Sequence, residues 1–150
     1  MKDIKRLVNQ FRDAIDIAKG KGEFIKDLRF RRFPSGCCDD ASDLLAQFLL
    51  ENGIKTYNVS GTYRDGSDEN TQSHEWLVAD NQTIIDITGD QFRYDSVFLN
   101  YNKPVYVGAE DNFHRLFEDR RVHENMGLDS LGGISQPRLN ELYRKITKFV

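Results

Sequence analysis

The chain reads as an α+β domain, on three observations. Apolar residues recur at helical spacing near both ends and again across residues 41–49. Three β-rich runs of alternating character follow one another in the middle of the chain, separated by short polar turns. Glycine, proline and the Asn52-Gly53 pair punctuate the boundaries.

Residues 3–19 form the first predicted helix, with Ile4, Leu7, Val8, Phe11, Ile15 and Ala18 on one face and Gly20 and Gly22 ending it. Residues 23–33 are either a short helix or loop packing around Phe24, Ile25, Leu28 and Phe30. A second helix runs from about Gly36 to Glu51, buries Ala41, Leu44, Leu45, Phe48 and Leu49, and stops at Asn52-Gly53. Residues 54–63, 73–79 and 82–87 read as three strands of an antiparallel meander. A polar hairpin loop over 64–71 and a turn at Asp80-Asn81 join them. Residues 89–102 are aromatic-rich and irregular, and 104–108 read as a short strand. Residues 109–121 read as a helix presenting Phe113, Leu116 and Phe117. After a glycine-rich loop over 127–136, Pro137 opens a last helix with Leu139, Leu142, Ile146 and Phe149.

A chain of 150 residues suits one domain. The formal net charge of −3 opposes a general nucleic-acid binder, which needs a basic face. Arg29, Arg31 and Arg32 form the one basic cluster, read as a solvated turn or as a clamp for an acidic substrate group. No apolar run has membrane-spanning length, and the first residues are amphipathic, so no membrane partner and a cytoplasmic location are expected. The adjacent Cys37 and Cys38 cannot staple distant segments, which fits a reducing compartment.

Chemistry concentrates in three places. Phe33-Pro34-Ser35-Gly36 breaks the chain just before Cys37 and Cys38, which places both thiols at a helix start. Free backbone N–H groups and the positive end of the helix dipole favour thiolate there, and the thiolate is the nucleophile. His74 opens the apolar run ending at Ala79, and Asp86 sits inside Ile84-Ile85-Asp86-Ile87. A carboxylate in such a run is costly unless paired, and His74 is the nearest candidate partner.

In order, these residues resemble the transglutaminase-like branch of the papain-like cysteine protease superfamily. Gly36-Cys37-Cys38 resembles that family's Gly-x-Cys, and Val59-Ser60-Gly61 its Val-x-Gly strand. His74-Glu75-Trp76 resembles His-Ala-Trp, and Asp86-Ile87-Thr88 resembles Asp-Pro-Thr. The resemblance covers roughly residues 33–92. Ala41 and Ile87 depart from it, standing where members carry an aromatic residue and proline. It implies a papain-like core in which the helix bearing the nucleophile packs on a small antiparallel sheet. It also implies a Cys38–His74–Asp86 triad that cleaves or transfers amide acyl groups through a thioacyl intermediate. Protease, amidase, deamidase and transglutaminase share that intermediate, and the triad does not choose among them. The expected partner is a protein or peptide carrying an amide or a glutamine side chain, and no cofactor or metal is expected.

Trp76, Cys37 and Gln91 are the further expected residues of the substrate site. Trp76 shares a strand face with His74 and would shield the Cys–His pair from water. Cys37 is a spectator or a redox partner of Cys38. The oxyanion donors are the Cys38 N–H and a second group not identified. Asp39 and Asp40 suit the helix dipole but oppose a neighbouring thiolate. Glu75 faces away and is assigned no chemistry. His114 and His123 show no metal partners, and Asp65, Asp68, Glu69 and Asn70 read as a solvated loop rather than a calcium site. A non-catalytic binding module with a groove of Trp76, Phe92 and Tyr94 is the alternative.

Overall fold

A computed structural model of the protein describes residues 3–65 and 71–150. Asp68, Glu69 and Asn70 of the polar loop lie outside those residues. Helix α1 spans Ile4–Gly20 and is capped by Asp3, whose carboxylate accepts the Arg6 N–H at 3.3 Å. Helix α2 spans Cys38–Glu51. It ends at Asn52-Gly53, where Gly53 (φ +80°) turns the chain so that the Ile54 N–H reaches the Leu49 carbonyl at 2.9 Å. The strands are β1 (Thr56–Arg64), β2 (Thr71–Ala79), β3 (Thr83–Asp86), β4 (Tyr106–Gly108) and β5 (Glu118–Glu124), and α3 spans Ser135–Thr147.

The strands form one antiparallel sheet in the order β4-β3-β2-β1-β5. Its two faces bury different things. Leu77, Ala79, Ile85 and Ile87 pack with α1, α2 and α3 in a mainly aliphatic core, where Phe11 stacks on Phe48 at 5.0 Å. Val59, Trp76 and Ile84 point the other way, into a cluster with Phe92, Phe98, Tyr101, Phe113 and Phe117 contributed by the connecting loops. The side chains alternate along each strand, so β2 and β3 supply both cores.

The predicted α+β class, the three-strand meander and the short strand near 104–108 are present, with boundaries moved by up to two residues. The helix expected over 109–121 is not. A single 3₁₀ turn, His114–Leu116, is followed by β5, which pairs with β1. Phe113, Leu116 and Phe117 do sit at helical spacing, but a one-turn excursion is enough to bring Phe113 and Phe117 into the aromatic cluster. The charged Glu118–Glu124 segment then covers the β1 edge as an exposed outer strand, where charge hinders edge-to-edge association. Helix α3 starts two residues before Pro137, still within the first turn, whose N–H groups have no intrahelical partner.

Two details hold the site in place. A side chain at Gly61 would meet Phe117: an added Cβ would lie 2.8 Å from the Phe117 Cβ. Gly61 pairs with His74 in the ladder, so this close approach seats the aromatic cluster directly beside the histidine. The second is Arg12 of α1, which is buried and donates to the carbonyls of Ile87 (2.8 Å) and Pro104 (2.9 Å) and, bidentately, to Asp90 (3.0 and 2.9 Å). One guanidinium thus ties the first helix to the turn that follows β3.

Candidate active site

Strand β3 pairs with β2 only from Leu77 to Ala79. Among the described residues, the stretch of β2 before it, Thr71–Glu75, therefore has no strand on that side. The start of α2 reaches this open edge, and the two together wall a pocket of about 320 Å³ lined by Cys38, Ser73, His74, Glu75 and Gln91, with Arg29 and Asp39 at its side. Helix α2 covers the aliphatic face and His74 points to the aromatic face, yet they meet because the edge between them is open.

His74 and Asp86 lie on the same face, both buried. His74 Nε2 is 2.8 Å from Asp86 Oδ2. Asp86 also caps its own turn: Oδ1 accepts the Thr88 N–H at 2.9 Å. With Nε2 committed to Asp86, Nδ1 is the ring nitrogen left for the thiol; it is buried and closes no conventional hydrogen bond. Burial opposes a charged imidazole, but the Asp86 charge and hydrogen bond, and then Cys38, outweigh it and lift His74 to about 9. Burial likewise opposes the Asp86 carboxylate, and the two imidazoles against it hold its pKa far below the usual range.

The two cysteines part company. Cys38 is the first residue of α2, half-buried, and lines the pocket. Cys37 caps the helix from within the aliphatic core, fully buried, and does not line the pocket. Burial pushes its thiol up to about 12, with Asp40 adding to the effect. The expected contribution of Cys37 to the substrate site is corrected accordingly. Trp76 is also buried beneath the site and not on its wall: its ring lies 5.6 Å from that of His74. It packs behind the histidine. Gln91 does line the pocket, while its amide donates to the Thr88 carbonyl at 3.0 Å.

The acids beside Cys38 are each neutralised. Asp39 receives Arg29 at 2.8 and 3.0 Å. Asp40 receives Arg138 of α3 at 2.8 Å, and the same guanidinium clamps Asp27 at 2.9 Å through two nitrogens. The repulsion expected between these carboxylates and a thiolate is therefore met by two arginines. Arg29 serves the helix end rather than standing unpaired for a substrate. In the groove of the alternative reading, Trp76 and Phe92 are buried and Tyr94 is exposed, so the three do not form one wall.

His114 is the residue that sequence reasoning missed. Its Nε2 lies 2.8 Å from Asp86 Oδ2, the same oxygen that faces His74. Its Nδ1 lies 2.6 Å from Asp111 Oδ1. His74, Asp86 and His114 bring three ligand-type atoms within 4.8 Å of one another, the makings of a metal site. The spacing favours hydrogen bonds: both nitrogens approach one oxygen at 2.8 Å, whereas a tetrahedral metal with bonds of about 2.0–2.1 Å holds its ligand atoms about 3.3 Å apart. His123, by contrast, is exposed on β5.

No family model, curated protein or solved structure matches this chain. No helix among the described residues is long and apolar enough to cross a membrane.

Proposed function

We propose that the protein is a cysteine-dependent acyl-transfer enzyme acting on amide bonds, with Cys38 as nucleophile, His74 as acid and base, and Asp86 as the group that orients His74. One observation carries this reading: a buried imidazole holds Asp86 with Nε2 and keeps Nδ1 free beside a pocket that Cys38 lines from a helix N-terminus.

In this scheme the Cys38 thiolate bonds to the amide carbon, and the C=O π electrons move onto oxygen. The developing oxyanion lies near the first N–H groups of α2, which have no intrahelical acceptor. The tetrahedral adduct collapses, the C–N bond breaks, and the departing amine takes the proton from His74 Nδ1. Neutral His74 then accepts a proton from water or from an amine as that nucleophile attacks the thioester carbon. Collapse of the second adduct releases Cys38 as thiolate beside an imidazolium, the starting state. Asp86 fixes the ring so that Nδ1, not Nε2, does this work. The open edge of β2, exposed from Thr71 to Ser73, suits a peptide-borne amide, and the reading leaves hydrolysis and transamidation as branches of one intermediate.

The test uses a pool of glutamine-containing peptides and intact-protein mass spectrometry. A thioacyl adduct is expected on Cys38 and absent from Cys38→Ala, whose turnover should fall by about 10⁴ or more. No adduct, together with alkylation no faster than that of a free thiol of pKa about 8.5, would remove the reading.

A further inference from the structure

We propose that His114, wedged between Asp111 and Asp86, is a positioning residue for the Cys38–His74–Asp86 triad; the proposal rests on the acyl-transfer reading above. His114 is fully buried. Each of its ring nitrogens faces a carboxylate oxygen, Asp86 Oδ2 at 2.8 Å and Asp111 Oδ1 at 2.6 Å. An ionised carboxylate only accepts hydrogen bonds, so both nitrogens must donate, and His114 is an imidazolium. Asp111 is itself held: Oδ1 also accepts the His114 backbone N–H at 2.8 Å, and Oδ2 accepts the Tyr101 hydroxyl at 3.0 Å.

The result is a line of alternating charge, Asp111, His114, Asp86 and His74, ending at the Cys38 thiol. It does two things for the triad. Asp86 has donors on both oxygens, Thr88 N–H on one and two imidazoles on the other, so its carboxylate cannot rotate away from His74. The positive charge of His114, with ring centroids 6.3 Å apart, also opposes protonation of His74 and limits how far Asp86 raises it. The other titratable or charged groups facing His114 are Tyr106, whose ring centroid lies 5.6 Å away, Tyr101 at 5.9 Å, and Arg120 from β5, which donates to the His114 carbonyl at 2.7 Å. None of these supplies a second anion at either ring nitrogen.

The experiment compares the wild type with His114→Gln and Asp111→Asn. The first readout is the rate of Cys38 carboxymethylation by iodoacetate against pH, which rises with the thiolate and falls as His74 loses its proton. Removing the charge of His114, or the anion that holds it, should move the alkaline limb upward, by about one pH unit in His114→Gln. Asp111→Asn leaves the ring in place and gives the same direction if the larger change prevents folding. The second readout is ¹⁵N NMR of the imidazoles, in which the signal lost in His114→Gln should show both nitrogens protonated at neutral pH in the wild type. A reactive Cys38 whose alkaline limb stays put in both variants overturns the proposal alone, as does a His114 with one bare nitrogen. So does one equivalent of tightly held divalent metal that is lost in His114→Gln. Ordinary thiol reactivity in the wild type overturns the acyl-transfer reading, and this proposal with it.

Discussion

On the aliphatic face of the sheet, Asp43 of α2 and Glu75 of β2 meet across Asn58, whose Nδ2 donates to both carboxylates at 3.1 Å. On the aromatic face, Asp86 and Asp111 meet across His114, with His74 on the far side of Asp86. Both arrangements put one nitrogen-bearing side chain between two acids, half-buried on the aliphatic face and, on the aromatic face, one buried (Asp86) and one half-buried (Asp111). Their titration runs in opposite directions. Burial, followed by the charge of the other acid, raises Glu75 to about 7, and burial with nearby Asp39 and Asp40 raises Asp43 to about 6. On the other face, burial works the same way, yet Asp86 and Asp111 both stay below the usual range because the imidazoles against them carry charge. A neutral amide satisfies hydrogen bonds without neutralising, so the acids beside it tend to keep a proton. An imidazole can become a cation, so the acids beside it stay ionised.

The largest effect should follow from turning the charged face into an amide face. Asp86→Asn keeps the size, and its carbonyl can still accept the Thr88 N–H. Its NH₂ would then face two Nε2–H donors, so each histidine must shed that proton or turn. His74 would place its remaining proton on Nδ1, toward Cys38, which is the wrong tautomer for a base. Activity should fall by about 10⁴, and the alkaline limb of Cys38 alkylation should move to lower pH, opposite to His114→Gln. Stability should fall by about 3–5 kcal/mol, the usual cost of removing one partner of a buried ion pair. The His74 pKa, raised from 6.5 to about 9, and the lowered Asp86 pKa make the pair's contribution complete from about pH 4 to about pH 6.5 and lost as pH rises through about 9. Urea unfolding across that window should slope downward in the wild type and lie flat in Asp86→Asn. Equal slopes would show that His74 and Asp86 are not coupled.

A smaller effect, of opposite sign, is expected on the amide face. Glu75 and Asp43 bind protons more tightly folded than unfolded, so stability should decline as pH rises from about 4 to about 7. Glu75→Gln removes a charge that the folded state disfavours. It should flatten that decline and leave the protein more stable than the wild type at pH 8, as measured by urea midpoints. Asp43→Asn should act alike, and the double variant should gain less than the sum, since the charge of Asp43 raises Glu75. A Glu75→Gln variant that is less stable at pH 8 would mean that Glu75 is ionised and stabilising in the folded protein.

Much of this arrangement was legible from residue order. A helix start beside the cysteines, expected near Gly36 and found at Cys38, followed from Pro34-Ser35-Gly36 and the apolar spacing behind it, and the His74–Asp86 pairing from an acid stranded in a β-branched run. Strand alternation put Trp76 on the same face as His74, where the structure has it, though beneath the site and not on its wall. Three things were not legible. Arg12 sits on α1 among residues whose spacing announces only an apolar face, and its carbonyl partners lie 75 and 92 residues away. His114 lay inside a segment whose aromatic spacing mimics a helix, and only the pairing of β5 with β1 shows that the chain turns there. The local signal available was Asp111 three residues before His114, a turn-forming acid that also reaches the ring. Glu75 was assigned no chemistry because alternation turns it from His74, which is correct for the face. The open edge of β2 nonetheless brings it to the pocket wall.

The smallest effect concerns Cys37, where the same contrast recurs within one dipeptide. Cys37 and Cys38 are neighbours in sequence, but one lies in the aliphatic core and the other lines the pocket beside an imidazole. A thiol pushed up to about 12 is almost wholly protonated at neutral pH and, being fully buried, is shielded from reagents. Adjacent residues at a helix start also project about 100° apart, which works against a bond between the two sulfurs. Cys37→Ala should therefore leave the pH profile of Cys38 alkylation unchanged within about 0.3 units, and turnover within about threefold. Its cost should be confined to packing, about 1 kcal/mol, because a sulfur is removed from the core without stranding a charge. Timed exposure of the folded wild type to iodoacetamide at pH 7, read by intact mass, should give one adduct, with the second appearing only on unfolding. Two adducts forming at comparable rates would show that the environment does not separate the two thiols, and that Cys37 belongs to the site after all.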